Sequence, residues 1–394
     1  GAMRPRAAGA VVIGAHPPGA DAVRGASPHE TRHRVIDAIA SAGPAAPLSK
    51  HELFQYMPEF ASEMALFALR NGVRYDIIHA HYWLSGWAAH LVKRYWNIPF
   101  ALMFHTTAHM KNIVSPRSEQ ETSLRATIED KLVGMADSII AANPDEAADL
   151  IWRQRCPSDK ICTIPPGVDT TLFRPLDRNE CRGELDIAPD EQVVLFVGRI
   201  DPIKGLDTLL QATKFLKESG SAARTHIVGG DLDDAGEPVG PLAALVERAR
   251  SMGIEERLVL WGSQPQDRLP VFYSAADVVS VPSRYESFGL VAVEAMACAT
   301  PVVASRAGGL AFTVEDGRNG YLAPIGDGAA HGRCVLDLLS NDERRKLFGR
   351  RAHETALRFS WQTVASSILH VYERLAEGYR ANLCCEDEIF ATAI

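Results

Sequence analysis

YDIIHAHYWLSGWAAHLVKRYWNIPFALMFHT, residues 75–106, decides the reading of the fold. Tyr75–Ala80 is a short apolar run and predicts a strand. A helix is expected from about Gly86 to Trp96, and Ile98–Phe104 predicts the next strand. Short apolar strands alternating with helices argue for parallel α/β sheets. His81 and Tyr82 end the first strand, and His105 and Thr106 end the second. Ligands of an open parallel sheet bind at the carboxyl ends of its strands, so these four are candidate site residues. Trp83 and Trp87 read as core or lining, and His79 and His81 can equally be satisfied core histidines.

The alternation extends both ways. Upstream, Val11–Ile13 and Val35–Ala40 predict brief strands around a loop over 14–33. A helix is expected from Ser49 to about Asn71, with Leu53, Met57, Phe60, Met64 and Phe67 three or four residues apart. Downstream come a helix from about Glu119 to Met135, a strand at Ser138–Ala141, a helix over about 144–153 and a strand at Lys160–Ile164. The stretch from Pro165 to about Asp190 is rich in Pro, Asp and Arg and reads as a boundary. A second series follows: strands at Val193–Val197, His226–Gly229, Leu258–Trp261, Val278–Val281 and Val302–Ala304, and helices near 287–298, 327–340, 342–357 and 361–376. Leu206, Leu209, Leu210 and Leu216 share one face of another helix. The expected domains are 1–175, 176–358, a helix over 359–380 returning to the first domain, and a tail over 381–394.

Composition limits the partners. The chain has 394 residues, enough for two domains, with 46% hydrophobic and 23% charged residues. A net charge of −8 disfavours nucleic acid and anionic membranes as partners. No apolar stretch is long enough to predict a membrane span. The seven cysteines are scattered, without metal-ligand spacing, and no secretory leader is read at the start. A reducing, cytoplasmic setting is expected.

The second half carries the first chemical constellation, VGRIDPIKGL at 197–206. A strand ends at Gly198, and the loop after it holds Arg199 and Lys204. Such a loop can aim a bidentate fork and a point charge at one phosphate pair; two solvated loop cations are the plainer alternative. VPSRYESFGLVAVEAMA, 281–297, joins a strand end, a loop and a helix start. The first helical amides, expected near Ser287–Leu290, would form an anion site. Glu286 and Glu294 sit where carboxylates can accept hydrogen bonds from sugar hydroxyls. Otherwise Glu286 complements the helix dipole and Glu294 lies on a solvated face.

GRIDPIKG, the ESFGLVAVEA segment with its Glu-x7-Glu spacing and the TPVVASRAGGL run resemble the retaining glycosyltransferases of family 4. The resemblance covers about Val35 to Ala376. It implies a GT-B fold, two Rossmann-like domains facing a central cleft. It also implies that the first strand-loop-helix unit of the N-terminal domain, with its glycine loop, is missing here. By this resemblance Arg199 and Lys204 bind the donor diphosphate, Glu286 lies at the donor sugar and Glu294 holds the nucleotide ribose. Gly198, Ser287, Phe288, Gly289 and Leu290 complete the donor site.

Within the family, HAHYWLSG, Pro47-Leu48-Ser49-Lys50 and FHT are most similar to the D-inositol-3-phosphate glycosyltransferases, and less so to the sucrose synthase-like group. Lys50, Tyr82, Thr106 and Arg125 then match the acceptor-phosphate residues, and His105 the histidine between donor sugar and acceptor. Solvated helix charges remain the alternative for Lys50 and Arg125. The resemblance implies transfer of GlcNAc or glucose from a nucleotide diphosphate sugar, UDP-linked, to a small phosphorylated polyol or sugar. No metal and no cofactor are expected, and a homodimer is left open. The alternatives are a non-catalytic sugar-nucleotide-binding module and a sucrose-phosphate synthase-like enzyme. A Rossmann dehydrogenase is disfavoured, because no GxGxxG follows an early strand.

Overall fold

A computed structural model describes residues 10–14, 52–114 and 121–378. They form two compact units. The first takes in the chain to Ala142, Glu146–Ile164 and the chain from Ser366; the second takes in Asn143–Asp145 and Pro165–Ala365. The strand expected at Val35–Ala40, Ser49, Lys50 and the tail over 381–394 lie outside the described residues.

The sheet of the first unit runs β1 (Ala10–Gly14), β2 (Ile77–His81), β3 (Phe100–Met103), β4 (Ser138–Ala141), β5 (Ile161–Thr163) in spatial as well as sequence order, every pairing parallel. β1 pairs along the whole of β2, from Ala10 opposite Ile77 to Gly14 opposite His81. That flank of β2 therefore has partners for its backbone groups. β3 and β4 are buried at every position, as strands covered on both faces must be.

Helices α1 (Met57–Asn71), α2 (Tyr82–Trp96), α3 (Ala108–Val114), α4 (Ser123–Met135) and α5 (Pro144–Trp152) follow in order. A short 3-10 turn, Glu52–Tyr56, leads into α1, whose Pro58 sits where its missing N–H costs nothing. α2 buries Trp83, Leu84, Ala88, Ala89 and Val92. Trp83 is fully buried and Trp87 half-buried; Phe54 lies 5.4 and 5.7 Å from their rings. Both tryptophans are packing residues.

The second unit's six-stranded sheet uses β6 (Val193–Val197), β7 (Arg224–Val228), β10 (Leu258–Gly262), β11 (Val278–Val281), β12 (Val302–Ser305) and β13 (Gly320–Ala323), in the order β10-β7-β6-β11-β12-β13, all parallel. A two-stranded hairpin, β8 (Asp231–Leu232) and β9 (Pro238–Val239), stands apart. The helices are α6 (Arg178–Glu184), α7 (Leu206–Glu218), α8 (Gly240–Ser251), α9 (Leu269–Ala275), α10 (Leu290–Ala297), α11 (Leu310–Thr313), α12 (Gly328–Ser340), α13 (Asp342–Leu357) and α14 (Trp361–Ala376). α7 buries Leu206, Leu209, Leu210 and Leu216, the face its spacing predicts. α14 is divided: Trp361 packs against Gly167 in the second unit, while Val371, Tyr372 and Leu375 are buried in the first. No described helix is long and apolar enough to cross a membrane.

The strand order places the chemistry. β6, β11 and β12 are neighbours, so the loops leaving their carboxyl ends, 198–205, 282–289 and 306–309, share one edge of the sheet.

Candidate active site

Backbone contacts fix how those three loops meet. The turn Pro202–Lys204 ends at Gly205, whose φ is +70°; a Cβ there would lie 1.9 Å from the Pro282 carbonyl oxygen. Glycine is required on both counts. Beside it the Arg284 N–H donates to the Ile203 carbonyl at 2.8 Å. On the other side the Gly309 N–H donates to the Glu286 carbonyl at 2.8 Å, and a Cβ on Gly309 would come within 2.3 Å of the Ser287 carbonyl oxygen.

This docking brings Lys204 and Glu286 together across 82 residues of sequence: Lys204 Nζ lies 2.5 Å from Glu286 Oε1, both side chains largely covered. The Ser283 hydroxyl donates to the same oxygen at 3.3 Å. Arg199 holds a different partner. Its side chain is 78% exposed and lies 3.5 Å from Asp201, so the two cations do not converge on one point. Gly198 directly follows β6, its N–H bonded to the Val228 carbonyl.

The expected helix start needs correcting. α10 begins at Leu290, not near Ser287. Gly289, with φ +86°, is its N-cap; a Cβ there would meet Leu310 at 2.5 Å. Ser287 and Phe288 belong to the loop. The Phe288 side chain is buried against Phe359, 5.3 Å between ring centres, so it anchors the loop. Asn143 donates its side-chain amide to the Ser287 carbonyl. The first intrahelical bonds are those from the N–H groups of Ala292 and Val293 to the Gly289 carbonyl, so the amides of Leu290 and Val291 precede them.

Glu294 is not on a solvated face. It is buried, and the Tyr273 hydroxyl donates to its Oε2 at 2.8 Å. Burial pushes its carboxyl up to about 7, against the smaller opposing effect of hydrogen bonds from Tyr273 and Gln266. Tyr273 and Gln266 carry no sequence signal for this role, since both precede the motif by a full strand and loop.

The first unit gathers a second group at the carboxyl ends of β2 and β3. Tyr82 and His105 both have left-handed backbones, φ +76° and +64°, a conformation uncommon outside glycine. Arg125 is 2% exposed, so it is no solvated helix charge. Its Nε lies 2.6 Å from Glu129 Oε1, its Nη1 3.0 Å from Glu121 Oε1, and its Nη2 donates to the Thr106 carbonyl at 2.5 Å. The guanidinium carbon stands 4.8 Å from the centre of the Tyr82 ring. Glu129 Oε2 accepts from the Ala108 N–H at 2.6 Å, and Lys111 reaches Glu121 at 2.7 Å. Tyr82, Thr106 and Arg125 are thus in one contact group; Lys50 lies outside the described residues. The two carboxylates that hold Arg125 were missed, although Glu129 is a plain i, i+4 partner.

His105 is exposed, and its Nε2 lies 2.9 Å from His81 Nδ1. Among the described residues no group of three or more His, Cys, Asp or Glu is placed to hold a metal ion.

Comparison with known proteins adds the following. The family model of the glycosyl transferases group 1 matches residues 177–355, and that of glycosyltransferase family 4 matches residues 13–172. The chain is 38% identical over 374 residues to a D-inositol 3-phosphate glycosyltransferase of Catenulispora acidiphila, covering 93% of this chain and 85% of that one. It is 38% identical over 339 residues to the D-inositol 3-phosphate glycosyltransferase of Nocardia farcinica, with 84% and 74% covered. Among solved structures, a sucrose-phosphate synthase from Thermosynechococcus elongatus superposes with a TM-score of 0.76 at 31% identity, covering 86% and 83%. Anabaena HepE in complex with UDP superposes at 0.67 with 23% identity over 80% and 82%, a likeness of fold.

Proposed function

The chain belongs to the family 4 glycosyltransferases, of GT-B fold, and on that premise we propose that it moves GlcNAc or glucose from a UDP-sugar to D-inositol 3-phosphate or a closely similar phosphorylated polyol, with retention at the anomeric carbon. The observation that carries this reading is the pairing of Lys204 and Glu286 across two docked loops, the first leading into α7 and the second into α10.

The donor belongs to the second unit. Its diphosphate is held by Lys204 and by the amides of Leu290 and Val291, which supply positive charge where the leaving group gains negative charge. Arg199, exposed beside Asp201, adds its charge to the same phosphates from the solvent side. Glu286 meets the sugar hydroxyls, and Glu294, braced by Tyr273, takes the ribose hydroxyls. As the C1–oxygen bond to the diphosphate breaks, the acceptor hydroxyl bonds to C1 from the same face and its proton passes to the leaving phosphate oxygen. No enzyme nucleophile is needed, and no cofactor beyond the donor.

The acceptor belongs to the first unit, with the hydroxyls of Tyr82 and Thr106 and the charge of Lys50 on its phosphate. Arg125, spent on Glu121, Glu129 and the Thr106 carbonyl, contributes by holding Tyr82 and Thr106 in place. His105 meets the acceptor. Relatives named for D-inositol 3-phosphate support this acceptor, and the UDP in HepE supports the donor carrier. The scattered cysteines support a cytoplasmic location.

The test is UDP release from UDP-GlcNAc or UDP-glucose with inositol 3-phosphate, with phosphate-free inositol as control. Turnover should require the phosphate; equal rates with inositol would remove the acceptor assignment. A second reading, synthesis of a sucrose phosphate, is favoured by the structural neighbour at 31% identity. Preference for fructose 6-phosphate over inositol 3-phosphate would establish it instead.

A further inference from the structure

We propose that His81 is a positioning residue for glycosyl transfer: it ties up Nε2 of His105 through its own Nδ1, so that His105 offers only Nδ1 to the substrates. The proposal rests on the reading of His105 as a group that meets substrate, and adds to it which ring nitrogen does so and what holds it there.

The geometry is that of a hydrogen bond in the plane of both rings. The two nitrogens are 2.9 Å apart, the ring centres 5.1 Å, and the planes differ by 20°. That centre-to-centre distance is close to the N···N separation plus a ring radius at each end, so the rings meet edge to edge and do not stack face on face. One proton lies between the two nitrogens. Whichever ring carries it, His105 has one nitrogen left, and its tautomer is coupled to that of His81.

His81 is itself braced. The buried ring of His79 lies 4.3 Å from it, and His79 Nδ1 is 2.6 Å from the hydroxyl of Tyr372 on α14. Burial lowers His81 to about 4 and His79 to about 3, the neighbouring histidines adding to the effect. Both rings are therefore neutral near pH 7 and fit a bond with a single shared proton. His105 sits on a left-handed backbone at a strand end, where a ring without this tether would be free to turn.

Three variants of the full-length protein and one spectrum test the proposal. His81→Leu should lower kcat roughly 10- to 100-fold with KM for donor and acceptor little changed. His81→Asn, whose amide can donate or accept where Nδ1 stood, should recover most of that loss. In 15N spectra of ring-labelled protein at pH 7, His105 should show one fixed tautomer in the wild type and exchange between two in His81→Leu. Wild-type kcat in His81→Leu, no recovery in His81→Asn, or a wild-type His105 ring already averaged between tautomers would each overturn the proposal. His105→Ala separates the two levels. Unchanged turnover there would end the reading of His105 as a substrate-contacting group, while the ring spectrum still decides whether His81 fixes its tautomer.

Discussion

Glu294 shows how one side chain joins burial to function. Its carboxyl is raised to about 7 by burial, and hydroxyl donors from a bound ribose favour the ionised form. Donor affinity should therefore fall as pH drops from 8 to 6, by several-fold, because protonating the carboxyl weakens it as an acceptor. Glu294→Gln should bind donor weakly at both values, with the pH dependence gone. Calorimetric titration with UDP at the two pH values checks this; a wild-type affinity that strengthens on acidification would contradict the ribose role. The residue type and spacing of Glu294 were legible in the sequence, but its environment was not, since the residues that cover and brace it come from α9 and the turn before it.

Between elements, two junctions decide whether the site exists. Gly205 lets the turn after β6 rest on the loop after β11. Gly205→Ala would place a methyl into the Pro282 carbonyl and force φ out of the left-handed region, pushing Lys204 away from Glu286. A loss of about 100-fold in turnover is expected, with far-UV circular dichroism unchanged; near-wild-type turnover would show that the docking is dispensable. The second junction is Glu129, which links the Ala108 N–H to Arg125 of α4. Glu129→Gln should cost about 3 kcal/mol in urea unfolding, because it leaves a buried guanidinium short of charge. It should also weaken acceptor binding more than donor binding. The sequence pattern located both motif loops because their glycines and charges are local signals. It put the start of α10 too early because the turn from Ser287 to Gly289 is set by Phe288 packing on Phe359 and by the Gly308-Gly309 backbone, contacts that no local pattern encodes.

Over the whole molecule, alternation of strands and helices was enough to read two parallel sheets, and the strand order brings the loops after β6, β11 and β12 to one edge. Stability has its own pH signature. Glu146, 1% exposed and raised to about 7 by burial despite the Ala142 N–H on its Oε2, favours the fold when protonated. That contribution is complete below the ordinary carboxyl range and is lost as pH rises through about 7. Glu146→Gln keeps an acceptor for Ala142 without a charge to bury. It should be more stable than the wild type by about 2–3 kcal/mol at pH 8 and nearly equal to it at pH 5; urea melts at both values would show the reverse if Glu146 were ionised in the fold. The most direct test of the donor site is calorimetric binding of UDP and of uridine to the wild type and to Lys204→Ala. The wild type should prefer UDP by about 10-fold or more, and Lys204→Ala should lose most of that preference while keeping its affinity for uridine. Undiminished UDP binding by Lys204→Ala would contradict the claim that this lysine grips the diphosphate.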